Sequence, residues 1–243
     1  MKRLKFLLLM PLLILSACSN KNKINDKTLV IGCSPTPHAE ILREAIPLFE
    51  EEGYKLDIRI IQDYVTPNTL LQSGDLDANY FQHVPYLNDF NEKNKTELTW
   101  IVKLHFEPMG IYSKKHKDLK ATNPKIAIPN DVSNGERARA LLAANNVEGT
   151  LIEVEAQAIP SILPDVDYAV INGNYALSSG VTDKCIVTED ANSDIAMTNA
   201  NVIAVKLDSL KYEWVGTIKK VMTSAKIKKF INTNFGASVK AVF

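Results

Sequence analysis

Short runs rich in β-branched residues alternate with stretches of helical periodicity along almost the whole chain, and this limits its fold more than any other feature. "TLVIGCS" reads as a buried strand that ends in the loop "PTPH". The next segment, "HAEILREAIPLFEEEG", carries apolar residues at Ile41, Leu42, Ala45, Ile46 and Phe49, a helical stripe ended by Gly53 and interrupted by Pro47. "KLDIRII" is the second strand. In "YVTPNTLLQSG" Thr66 can cap a helix, Pro67 suits its first turn and Gly74 its end. "WIVKLHF", "GIYS", "KIAIP", "LIEVE", "YAVI" and "NVIAV" follow as short strands, and helical pattern closes the chain from about Asp208. The expectation is an α/β fold with parallel sheets flanked by helices.

The first residues place the chain. Lys2 and Arg3 precede the apolar "FLLLMPLLILSA", and "LSAC" ends it at Cys18. That is the three-part build of a signal peptide, and the run is too short, and broken by Pro11, for a spanning helix. "LSAC" also resembles the bacterial lipobox, in which the cysteine is acylated and becomes the first mature residue. Residues 1–17 are then leader, and residues 18–27, with the largely polar "SNKNKINDK", a lipid-bearing tether on the outer face of the cell membrane. Acidic and basic residues balance at 28 each, so no net field favours nucleic acid, and no basic stripe suggests it locally. Cys33 and Cys185 remain, either as one bridge or as two separate thiols.

Ligands of such sheets sit beyond the carboxyl ends of the strands. This rule nominates "SPTPHAE" with His38, "QDYVTPN" with Tyr64, "FQHVPYL", "PNDVSNGERA" and "NGNY". Read in order, "IGCSPTPHAEIL", "DYVTPN", "ANYFQHVPYL", "EPMGIYSKK", "IPND", "AVINGNYAL", "NVIAV" and "KKFINTNFGASVKAVF" resemble the NlpA family of methionine-binding lipoproteins, the substrate-binding components of ABC importers. The likeness spans nearly the whole mature chain. Two stretches depart from it: the segment after Asn146 is shorter than usual, and "NGERA" stands where "NEGRA" or "NEARA" is usual.

The resemblance implies a two-lobed, periplasmic-binding-protein-like fold with the ligand in the cleft. One lobe takes residues 28–107 and 200–243, the other 108–199, with "HFEPMGIYS" and "NANVIAVK" crossing between them. It also implies an importer partner, a membrane permease with its ATPase, and a methionine-like ligand, with no cofactor and no catalysis.

Its site residues carry over as Tyr64, His83, Tyr86, Arg137, Asn172 and Asn201. Arg137 sits in the first turn expected of the helix in "VSNGERARALLAA", where the dipole disfavours a cation. It is either a surface arginine or half of a carboxylate site, gripping an anion bidentately beside the helix terminus. Arg139 faces elsewhere. Asn172 and Asn201 are turn formers or amide contacts, because an amide can accept from an ammonium and donate to a carboxylate. Tyr80, Phe81 and Phe90 read as core, while Tyr64 and Tyr86 make an aromatic wall suited to a thioether. An alternative gathers His38, His83, His105 and Glu107 as metal ligands, giving a zinc- or manganese-binding lipoprotein of a metal importer, although the spacings match no local metal motif. A hydrolase is disfavoured: no G-x-S-x-G or H-E-x-x-H occurs.

Overall fold

The computed structural model describes residues 27–243; the leader, Cys18 and most of the expected tether lie outside the described residues. β1 (Thr28–Cys33) leads through a turn at Pro35–Ala39 into α1 (Glu40–Glu51), and β2 (Lys55–Ile60), α2 (Thr66–Ser73), β3 (Ala78–His83), α3 (Val84–Asn94) and β4 (Leu98–Phe106) follow. β5 (Gly110–Tyr112), β6 (Lys125–Pro129), α4 (Val132–Ala144), β7 (Thr150–Val154), α5 (Ile159–Ile162), β8 (Tyr168–Ile171), α6 (Gly173–Ser178), β9 (Cys185–Thr188) and α7 (Asp194–Thr198) make the middle of the chain. β10 (Asn201–Lys206), α8 (Glu213–Met222), α9 (Ala225–Asn234) and β11 (Lys240–Ala241) end it. Gly74 stops α2 with a left-handed φ of 86°. Thr66 is not the cap of that helix: it is the first helical residue, and the Asp63 carboxylate accepts the N–H groups of Val65 and Thr66.

Two sheets result, ordered β11-β4-β10-β3-β1-β2 and β7-β6-β8-β5-β9. Here the expectation of parallel sheets is corrected. β1 pairs parallel with β2 and β3, and β6 with β7 and β8, but β10 runs antiparallel to β3 and β4, and β5 antiparallel to β8 and β9. The reversals come where the chain passes between the lobes: Glu107–Met109 leads from β4 into β5, and the stretch after Thr188 leads back to β10. A strand entering a sheet from the other lobe is not bound by the crossover that makes βαβ strands parallel.

Each sheet is covered on both faces, which explains why its strands read as unbroken apolar runs. α1, α8 and α9 bury Leu42, Phe49, Ile218 and Ile231 against Ile31, Tyr80 and Leu104 of the first sheet. α2 and α3 close its other face through Leu71, Leu87 and Phe90. In the second sheet α4 packs Ala138 and Leu142 on one face, and α5 and α6 pack Ile159 and Ala176 on the other. Cys33 is buried in the first core and Cys185 half-buried in the second lobe; both are free thiols, so the possible bridge is not formed. No helix among the described residues is long and apolar enough to cross a membrane.

Candidate functional site

The first lobe builds its wall of the cleft from the rims of three strands. Antiparallel register sets Asn201 of β10 opposite His83 of β3 on one side and opposite His105 of β4 on the other. His83 caps α3, its Nδ1 accepting the Tyr86 N–H at 3.2 Å. Nε2 therefore carries the proton and donates to Asn134 Oδ1 at 3.2 Å. Burial, and then the positive Arg137, lower the His83 pKa to about 3, so the ring is a neutral donor. Tyr86 Oη donates to the Tyr64 carbonyl at 3.0 Å, and the Tyr64 ring lies 5.9 Å from Tyr86 and 5.8 Å from Phe81. Phe81, expected in the core, joins this wall: β3 continues to His83, so alternation along the strand turns Tyr80 inward and Phe81 to the cleft.

The second lobe supplies mostly amides and charge. Asp131 caps α4 by accepting Asn134 N–H, and it also accepts from the Asn134 side-chain amide, which fixes Asn134 Oδ1 toward the cleft. That oxygen takes Asn172 Nδ2 at 2.7 Å as well as His83. Asn172 Oδ1 is left as a buried acceptor with no protein partner. Asn172 caps α6, and Gly173 beside it is required by packing, because a Cβ there would meet Glu107 Cβ at 2.8 Å and the Pro108 carbonyl at 3.2 Å.

Arg137 is the sixth residue of α4, not a member of its first turn, so the dipole does not disfavour it as expected from the sequence. Its Nε and Nη2 donate to the two Glu189 carboxylate oxygens at 2.7 and 2.5 Å, and Nη2 also to the Glu107 carbonyl at 3.0 Å. The guanidinium lies over Phe106 at 5.4 Å and lines the cleft. The fork that was to grip an anion is thus filled from behind by Glu189. Arg139, two residues on, is exposed and paired with Glu153.

Behind the rim is a buried polar cluster. His38 Nε2 meets Asn201 Oδ1 at 2.9 Å; His105 Nε2 meets Glu107 Oε1 at 2.6 Å, and Tyr80 Oη contacts His105 Nδ1. Burial lowers His38 to about 4 and His105 to about 3, and raises the Glu107 carboxyl. Of the four metal ligands weighed, His83 stands apart in the cleft, while the donor atoms of His38, His105 and Glu107 fall within 4.8 Å of one another. Nearly all of those donors are spent on Asn201, Tyr80 and each other, and His38 Nδ1 has no partner at all. The cluster serves the cleft instead. With its oxygen held by His38, Asn201 can offer its amide nitrogen, and the Glu107 carboxyl is oriented by His105.

All six expected residues, Tyr64, His83, Tyr86, Arg137, Asn172 and Asn201, line one cleft between the sheets, together with Phe81, Gln82, Glu107, Asn134 and Asn174. Its cavity volume is about 20 Å³. It is a narrow slot, far smaller than ligand pockets, which run from about 300 to 1,000 Å³. The lobes also touch directly, Tyr64 Oη donating to Asn174 Oδ1 at 2.6 Å and Tyr175 Oη to the Gln62 carbonyl at 2.8 Å, with the Tyr64 and Tyr175 rings stacked at 4.8 Å.

Comparison with known proteins places this geometry. The profile of the NlpA lipoprotein family matches residues 29–150 and 145–243. The methionine-binding lipoprotein MetQ of Bacillus subtilis is 30% identical over 94% of this chain and 94% of its own length. Among solved structures, a lipoprotein from Ruminococcus gnavus shares 37% identity at a TM-score of 0.86, covering 89% of this chain and 100% of its own. A nutrient-binding protein from Burkholderia cenocepacia, bound to methionine, shares 33% identity at a TM-score of 0.82 over 88% of this chain and 100% of its own. A periplasmic substrate-binding protein of an ABC transporter from Coxiella burnetii shares 29% identity at 0.81, over 88% and 100%. With a profile that matches residues 29–243 and a fold shared with these relatives, the chain belongs to the NlpA lipoprotein family.

Proposed function

We propose that this chain captures methionine outside the cytoplasm and delivers it to an ABC importer, held to the cell membrane by lipid on Cys18. The observation that carries the reading is one cleft with an aromatic wall on one lobe and a polar wall on the other, in a fold shared with a methionine-bound protein. Tyr64, Phe81 and Tyr86 suit the thioether, since sulfur–ring contacts contribute about 0.3–1.5 kcal/mol each. Asn172 Oδ1 accepts from the α-ammonium, while Arg137, Asn201 and His83 face the rest of the backbone end. The ligand enters the open cleft, both lobes contact it, and the closed form docks on a permease served by its ATPase; no bond is made or broken.

Methionine at a hundredfold excess over its dissociation constant stabilises a folded binder by about 2.7 kcal/mol, which raises the melting temperature by roughly 5–10 °C in a chain this size. The measurement is a thermal shift on protein stripped of ligand by unfolding and refolding. A flat response to methionine rejects the reading. For the anchor, Cys18→Ala abolishes incorporation of a fatty-acid analogue in cells, and equal labelling of the variant rejects it.

A further inference from the structure

β10 runs from the cleft to the opposite end of the first lobe. Its first residue, Asn201, lines the slot, and its last, Lys206, lies roughly 17 Å further along an extended strand. Register carries Ala204 through Asn79 of β3 to Gly32 of β1, so Leu207, just past β10, comes level with Leu29 near the start of β1. The two are separated by the width of two strand spacings, about 10 Å. The chain therefore enters the first sheet at the end where β10 leaves it. Lys27 at that entry is nine positions after Cys18, a span of at most about 30 Å.

This base of the lobe presents apolar side chains to water. The turn at Leu207–Lys211 is 3₁₀, which sets residues three apart on one face, so Leu207 and Leu210 stand together. Both, and Tyr212 after them, are about half exposed. Their backbone is pinned: the Leu207 N–H donates to the Glu97 carbonyl and the Tyr212 N–H to the Ser209 carbonyl, each at 3.0 Å. The Tyr212 ring stacks on Trp214 at 6.0 Å, and Lys211 Nζ lies 5.3 Å from the Tyr212 ring centre. Single exposed apolar residues are ordinary, but two leucines and a tyrosine within six residues, with lysine stems beside them, make the set that sits between headgroups and acyl chains. Asp208 and Glu213 offset Lys206 and Lys211, so charge neither draws the patch to a surface nor repels it.

We propose that the base of the first lobe docks on the lipid bilayer, with Leu207, Leu210 and Tyr212 inserted at the interface beside the lipid of Cys18. The tether holds this face within reach of the membrane, and the docked lobe carries the slot on the far end of β10, clear of the lipid and open to ligand. Insertion is apolar, so it needs no anionic lipid. The inference rests on the reading of Cys18 as the lipid-bearing residue.

The test is hydrogen exchange of the acylated mature chain on phosphatidylcholine vesicles, compared with the unacylated chain in solution. Amides of residues 207–213 exchange about tenfold or more slowly on the vesicles, equally at low and high salt, while those of α4 do not change. The variant Leu207→Ser, Leu210→Ser, Tyr212→Ser still floats with the vesicles through Cys18, loses that slowing and keeps its methionine affinity. Should it fail to fold, Tyr212→Ser alone makes the same comparison. Unchanged exchange in a wild-type chain that floats with the vesicles overturns this inference and leaves the anchor standing. A chain that does not float at all takes the anchor reading down and this one with it. Slowing that needs anionic lipid and vanishes in salt assigns the contact to the lysines, slowing that grows with protein concentration without vesicles assigns it to a second copy, and slowing seen only in membranes holding the importer assigns it to a protein; each overturns apolar docking on lipid.

Discussion

The two walls of the cleft are made by different means. On the first lobe, rings and strand rims dominate, and three buried histidines, His83 in the wall and His38 and His105 behind it, are held neutral by burial and joined to asparagine, tyrosine and glutamate. On the second lobe the main polar feature is a buried ion pair, Arg137 with Glu189, beside a string of amides anchored at Asp131. A neutral histidine is stable until acid charges it, whereas a buried ion pair is stable until one partner is removed. The lobes therefore fail under different insults, and the predictions separate them.

The largest effect is expected on the second lobe. Arg137→Ala strands Glu189 as an unpaired charge in a buried place and frees the Glu107 carbonyl, a change that typically costs about 3–5 kcal/mol. Denaturant unfolding of the ligand-free chain measures it. Replacing both partners, Arg137→Met with Glu189→Met, recovers at least half of the loss, because no lone charge remains. A single variant that costs under about 1 kcal/mol shows that the pair is wetter than its burial indicates and removes the contrast between the walls.

Acid tests the first lobe. Folded His38, His83 and His105 titrate at about 4, about 3 and about 3, against an ordinary value of 6.5. Between pH 6.5 and 4 the unfolded chain binds protons that the folded chain refuses, so stability falls as pH falls through this window. Each fully refused proton contributes up to about 1.4 kcal/mol per pH unit. Glu107, raised by burial, acts in the opposite sense just above its ordinary value and offsets part of the loss. The denaturation midpoint drops from pH 6.5 to 4.5, and hydrogen exchange shows protection lost in β3, β4 and β10 before β6 and β8. A midpoint that does not move, or loss that begins in the second sheet, breaks the assignment.

What the sequence made legible follows the same divide. Strand–helix alternation announced nearly every element, and the position of loops after strands brought Tyr64, His83 and Asn172 together, because side-chain alternation and helix starts are local properties. Pairing direction was not local: β5 and β10 enter from the opposite lobe, and nothing in "GIYS" or "NVIAV" encodes that they run antiparallel. Arg137 lines the cleft, but its partner Glu189 is 52 residues away and leaves no mark near "NGERA". Asn134, three residues before the arginine on α4, also lines the cleft. The signal available was its place in the first turn of a helix whose cap, Asp131, would turn a side-chain amide back toward the cleft.

A smaller effect tests how the walls meet. Tyr64→Phe keeps the ring over the slot and its stack on Tyr175 but removes the hydrogen bond to Asn174 across the cleft. A neutral hydrogen bond contributes about 0.5–1.5 kcal/mol, so methionine affinity falls by about 2- to 12-fold, with ring-dependent discrimination between methionine and norleucine unchanged. If discrimination changes while affinity holds, the hydroxyl contacts the ligand rather than the opposite lobe.

The smallest effect is the control for the largest. Arg139 lies two residues beyond Arg137 on α4, carries the same charge and also pairs with a glutamate, Glu153, yet that pair is about half exposed on both sides. Water and salt screen it, and holding two long side chains together costs entropy, so exposed pairs of this kind are worth about 0–1 kcal/mol. Arg139→Ala therefore lowers stability by less than about 1 kcal/mol, an effect that shrinks further in high salt, and leaves methionine affinity unchanged. The loss from Arg137→Ala persists in high salt because ions do not reach a buried pair. Equal losses from the two alanine variants, or a salt response from Arg137→Ala as steep as that from Arg139→Ala, show that helix position and not burial sets the worth of these arginines.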